Sequence, residues 1–120
     1  MIQEAYCSYE VSKLLKEKGF ECEKKSISAM YNELGVFHSL STANDEYYDY
    51  EDFDKYDYIA PTQQMVMRWL REVHDIKIMI RPYVDGTYSY EILNGFWYVN
   101  FDSYEEATEE AIKYCLEYLI

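Results

Sequence analysis

The sequence predicts an α+β fold, with helices packed on one face of a small antiparallel β-sheet in the order α-β-β-α-β-β-β-α. Three observations carry this reading. Apolar residues recur at helical spacing near the start, in the middle and at the end of the chain. Asp85-Gly86 and Asn94-Gly95 are two-residue turn signals between runs rich in aromatic and β-branched residues. At 120 residues and 49% apolar content, the chain suits one domain, residues 1 to 120, with its own core. The one compositional break is an acidic, tyrosine-rich loop at about 41 to 60.

Cys7, Val11, Leu14 and Leu15 form an apolar stripe, which predicts a helix over residues 3 to 18 that Gly19 stops in a left-handed conformation. Residues 26 to 40 fit either a short helix, with Ile27, Met30, Tyr31 and Leu34 inward, or a hairpin turning at Asn32 to Gly35; the hairpin is favoured. Pro61 and Thr62 open a core helix whose stripe is Met65, Val66, Trp69, Leu70 and Val73. Ile76, Ile78 and Ile80 alternate along a strand that returns through Asp85-Gly86 as TYSYEIL, and FWYVNF adds a third strand after Asn94-Gly95. Ser103 and Glu106 have capping-box spacing at the start of a last helix. Its inward face is Tyr104, Ala107, Ala111, Tyr114, Cys115 and Tyr118.

The net charge of -12 is unevenly placed. Residues 26 to 57 hold eight acids and one lysine, and residues 102 to 120 hold six acids and one lysine, which together account for the whole excess. Such a surface repels nucleic-acid phosphates, so direct nucleic-acid binding is not expected. The start of the chain has neither the basic segment nor the apolar run of a signal peptide, and no stretch approaches ~18 consecutive apolar residues. Three cysteines, Cys7, Cys22 and Cys115, show no CxxC pairing. A cytoplasmic protein with free thiols and no membrane span is the expectation.

Three strings, CSYEVSKLLKEKGF, APTQQMVMRWLREVH and FDSYEEATEEAIKYCLEYLI, cover most of the chain outside residues 21 to 58. In them the chain resembles a family of short uncharacterised proteins from gut Bacteroides and their phages or prophages. The resemblance implies a bacterial or phage cytoplasmic setting. It assigns no activity, cofactor or site residue.

No GxSxG, GxGxxG or P-loop motif is present, and four glycines leave little room for phosphate-cradling loops, so no cofactor is expected. His74 beside Asp75 could be drawn as a general-base pair, and with His38 and the acidic loop it defines a hydrolytic or metal-assisted enzyme as the runner-up function. A histidine in a last helical turn is better explained by the free carbonyls there. Asp45, Asp49, Glu51, Asp52, Asp54 and Asp57 offer oxygen ligands without the glycine or spacing of a calcium loop, so no metal site is assigned. The aromatics Phe96, Trp97, Tyr98 and Phe101 lack adjoining basic residues. They fit cross-strand packing with Tyr88 and Tyr90 rather than base stacking.

The function this favours is a non-catalytic interaction or regulatory module. Its contact residues are Tyr47, Tyr48, Asp49, Tyr50, Glu51, Asp52, Phe53, Asp54 and Tyr56, where tyrosine supplies rigid contact area and carboxylates complement a basic protein partner. Self-association into a homodimer is the structural alternative for this face. A more pointed version has the carboxylates imitate DNA phosphates and occupy a nucleic-acid-binding protein.

Overall fold

The computed structural model describes residues 5–22, 27–39, 57–93 and 95–120, apart from the Phe96 side chain. The class is α+β, with helices and two antiparallel sheets, each of three strands among the described residues. The strands expected in one sheet are therefore divided between two. The chain separates into two compact units, Tyr6–Pro61 and a second that joins Ala5 to Thr62–Ile120.

In the first unit, helix α1 spans Tyr9–Glu17, starting later than the periodicity implies. Ser8 ends the helical run by capping it, its hydroxyl accepting from Val11 N at 3.2 Å. Cys7 N instead donates to the Pro61 carbonyl at 2.9 Å, which commits the backbone before the cap to extended pairing. Cys7, Val11 and Leu15 are buried as the stripe requires. At the other end Gly19 N donates to Lys16 O and Phe20 N to Leu15 O, a Schellman closure made possible by Gly19 at φ +81°.

Residues 26 to 40 contain a hairpin. Strand β1 (Ala29–Tyr31) pairs with β2 (Phe37–Ser39) and, on its other side, with β3 (Tyr58–Ile59). Asn32 decides the turn: its Oδ1 accepts from Leu34 N at 2.9 Å and Val36 N at 3.0 Å, and Gly35 takes φ +81°. A helix would leave that side chain without its two amide partners. Ile27 and Met30 form a small core, with Cys22 and Ile59 against it.

The second unit opens with α2 (Gln63–Val73), capped by Thr62. Its buried stripe is Gln63, Val66 and Leu70, whereas Val73, expected inside, is exposed in the last turn just before the chain leaves the helix. Gln63 is buried because its Nε2 is satisfied, donating to Glu105 O at 2.9 Å and Glu109 Oε2 at 3.1 Å on the neighbouring helix. Strands β4 (Ile78–Pro82), β5 (Tyr88–Ile92) and β6 (Phe96–Phe101) form the expected meander, without Ile76. Both turns hold three residues rather than two. Tyr83 N reaches Thr87 O while Gly86 N reaches Tyr83 O, and Gly95 N reaches Ile92 O; Gly86 and Gly95 supply positive φ after the turn proper.

Helix α3 (Tyr104–Tyr114) packs on this meander and continues as a π-helical turn, Cys115–Leu119. Ser103 caps the helix as expected, its Oγ accepting from Glu106 N at 3.0 Å, while the Glu106 carboxylate reaches one residue beyond the box position and accepts from Asp102 N at 3.1 Å. The inward face is rotated from the expected one. Ala107, Thr108, Ala111, Ile112, Cys115 and Leu116 are buried, while Tyr104 and Tyr118 are exposed. Aliphatic Ile112 and Leu116 compete better for the dry position than phenols do, and Thr108 is tolerated there because its hydroxyl donates to Tyr104 O at 2.8 Å. No helix among the described residues is long and apolar enough to cross a membrane.

Gly19 and Gly35 share φ +81°, but only at Gly35 would a Cβ meet another atom, Tyr9 Cδ2 at 3.0 Å. Gly19→Ala is expected to cost about 1 kcal/mol from backbone strain alone, and Gly35→Ala measurably more, by urea unfolding. Equal losses would show that the Tyr9 ring moves aside freely.

Candidate functional site

Tyr47, Tyr48, Asp49, Tyr50, Glu51, Asp52, Phe53, Asp54 and Tyr56, the contact residues expected from sequence, lie outside the described residues. Where the chain is described again, Tyr58 is half-buried in an aromatic cluster with Tyr9, Tyr31, Phe37 and Tyr6. Lys16 holds this re-entry, its Nζ 4.9 Å from the Tyr58 ring centre and 3.0 Å from the Asp57 carbonyl. The cluster's hydroxyls are engaged too: Tyr31 OH donates to Cys7 O and Tyr9 OH to Glu33 O.

His74 is the C-cap of α2, the structural position expected for it. Its ring stands edge-on to Trp69, centroids 4.6 Å apart, and its buried Nε2 has no hydrogen-bond partner among the described residues. Asp75 takes φ +54° and turns its exposed carboxylate to Lys77 Nζ at 3.3 Å. No His74-Asp75 hydrogen bond forms, so the pair does not make the oriented base that general-base chemistry uses. His38 lies on β2 in the other unit. Among the described residues no three or more His, Cys, Asp or Glu side chains gather where a metal ion could be held.

The Cys115 and Cys22 thiols are held toward their protonated forms. Burial pushes Cys115 up to about 12 and raises Cys22 above its ordinary value. Cys7 and Cys115 are buried and Cys22 is partly accessible.

The described surface that stands out is built by β6 and α3. Tyr90, nearly fully buried, stacks on Phe101 at 5.6 Å and packs on Tyr98 at 5.3 Å, the cross-strand packing expected of this string. Tyr88 turns instead to Tyr104 on α3, at 6.4 Å. From Tyr98 the aromatic chain continues to Tyr114 at 6.0 Å and from there to Tyr118 at 5.0 Å. Burial first, then the Tyr98 phenol and the Glu110 carboxylate, raises the Tyr90 phenol well above its ordinary range. On β6, Trp97, Tyr98 and Val99 are 63%, 47% and 41% exposed, Tyr98 at the margin of this seam and Trp97 and Val99 on the opposite face. Helix α3, which packs on the Tyr98 face of the sheet, carries exposed Glu105, Glu106 and Glu110.

Of the string expected to serve as core and sheet surface, Tyr98 and Phe101 pack on Tyr90 while Trp97 is exposed. Because side chains alternate along β6, Trp97 points to the face opposite the one that Tyr98 shares with α3.

No family model, curated protein or solved structure matches the chain.

Two outcomes are expected from the buried groups. In the native protein Ellman's reagent should reach Cys22 first, and Cys7 and Cys115 only on unfolding; fast reaction of all three would overturn the burial. Cys115 and Tyr90 fold in their protonated forms, so their contribution is complete below the ordinary thiol value of 9.0 and is lost as pH rises from there. The urea midpoint should fall between about pH 8 and about pH 10.5, and fall less in Cys115→Ala. An identical slope in the variant would remove Cys115 as a cause.

Proposed function

We propose that the protein is a non-catalytic interaction module that engages a basic protein partner through acidic surface studded with aromatic residues. The observation that carries this is the β6 surface: Tyr98 is partly open on the face that α3 covers, Trp97 and Val99 stand open on the other face, and residues 102 to 120 hold six acids and one lysine. Exposed aromatic anchors give contact area at low cost in side-chain freedom, and a one-sign rim steers an oppositely charged partner. Residues 41 to 60 have the same chemistry by composition and supply a further contact region of the same module. A cytoplasmic setting accords with three thiols that form no disulfide.

The test compares immobilised parent protein with two variants, Trp97→Ser/Val99→Ser and Asp49→Asn/Asp52→Asn/Asp54→Asn, for proteins retained from a bacterial lysate along a salt gradient. A basic protein held by the parent, released by moderate salt and lost from at least the first variant is expected. Equal retention by all three would overturn the assignment of these surfaces. Each substitution removes side chains at the β6 surface or in the 41 to 60 segment, so circular dichroism of the first variant should match the parent.

A further inference from the structure

We propose that β6 receives an extended, lysine- or arginine-rich segment of a partner protein as an added strand of the meander sheet; the proposal rests on the interaction-module reading and specifies its mode. The sheet order is β4-β5-β6, so among the described residues β6 and β4 are the outer strands. The two edges differ in chemistry. Strand β4 carries Arg81 and Pro82 and follows Lys77, the residue types that discourage pairing with another strand. Residues Phe96 to Val99 contain no charge and no proline. The regular stretch ends where the pairing register shifts between Tyr88 and Tyr90 and Asn100 takes φ +72°, so an added strand has Phe96 to Val99 to pair with.

Side chains alternate along β6, placing Trp97 and Val99 on one face and Tyr98 on the other, where Tyr90 and Tyr114 adjoin it. An added strand would lay its own alternating side chains beside these aromatics on both faces. Backbone pairing would supply affinity, and the flanking side chains preference.

Charge decides the occupant. From Phe96 to the end of the chain the ionisable surface is six acids and Lys113, with Glu105, Glu106, Glu110 and Glu117 exposed. A second copy docking β6 on β6 would bring two such helices together, each copy with a net charge of -12, so like charges oppose it. A segment in which basic residues alternate with apolar ones meets both features.

The experiment titrates the full chain with a capped peptide of four Lys-Val repeats, by calorimetry and by amide hydrogen exchange. Two controls are the same peptide N-methylated at alternate residues, which removes backbone donors while keeping charge and side chains, and four Glu-Val repeats. Binding of the Lys-Val peptide with slowed exchange at residues 96 to 99 is expected, with affinity about tenfold weaker for the N-methylated peptide and for Trp97→Lys protein. Lys-Val and N-methylated peptides binding equally would overturn strand addition while leaving a charged docking surface, and with it the module reading, in place. No binding of either would overturn strand addition, and the lysate retention experiment would then judge the module reading independently. Slowed exchange at residues 96 to 99 on raising protein concentration alone, with a dimer in sedimentation, would assign the edge to a second copy instead.

Discussion

The register of the β4-β5-β6 meander is the constraint on which the second unit depends. Ile80, Tyr90 and Tyr98 lie opposite one another across the three strands, and this row carries the aromatic seam beneath α3. Because side chains alternate with period two, a one-residue slip would turn Tyr90 outward, present Glu91 to the helix and break the stack on Phe101. Gly86 and Gly95 secure the register at both turns, since each three-residue loop closes on a residue with positive φ. The same register that buries Tyr90 sends Trp97 outward.

Much of the polarity inside the protein is retained by local satisfaction. Gln63 sits in the buried stripe of α2 because Glu105 O and Glu109 Oε2 accept from it, and Thr108 sits under α3 by bonding its own helix. Fifteen tyrosines in 120 residues invite a purely functional explanation. Several are structural instead: Tyr9 and Tyr31 direct their hydroxyls to backbone carbonyls in other segments, so each ring packs at one end and bonds at the other. Among the described residues, Tyr98 and Tyr118 are left exposed at the margin of the α3 seam.

Acid and aromatic surface are combined on one unit by chain order alone. The outer strand β6 leads directly into the acidic first turn of α3, where Glu105 and Glu106 also favour the positive end of the helix dipole. The acids therefore have a local role at the helix start. An edge strand without charge would ordinarily invite indiscriminate pairing. Here the irregularity at Asn100 shortens the regular stretch.

Features set by neighbouring residues were legible in the sequence: the start of α2 near Thr62, the cap at Ser103, the stop at Gly19, the hairpin turning at Asn32 to Gly35 and the order of elements apart from β3, which falls in the segment expected as a loop. Each rests on one residue's backbone preference or one side-chain-to-amide bond, which short-range spacing encodes. The candidate site was legible only as composition: residues 47 to 56 lie outside those described, and the exposure of Trp97 depends on which face of the sheet α3 covers. The division of the strands between two sheets, the rotation of the α3 face toward Ile112 and Leu116, the burial of Gln63 and the exposure of Val73 were decided by tertiary structure. Periodicity says that a side chain has the character to be buried; whether it is buried depends on what the chain brings against it from far along the sequence.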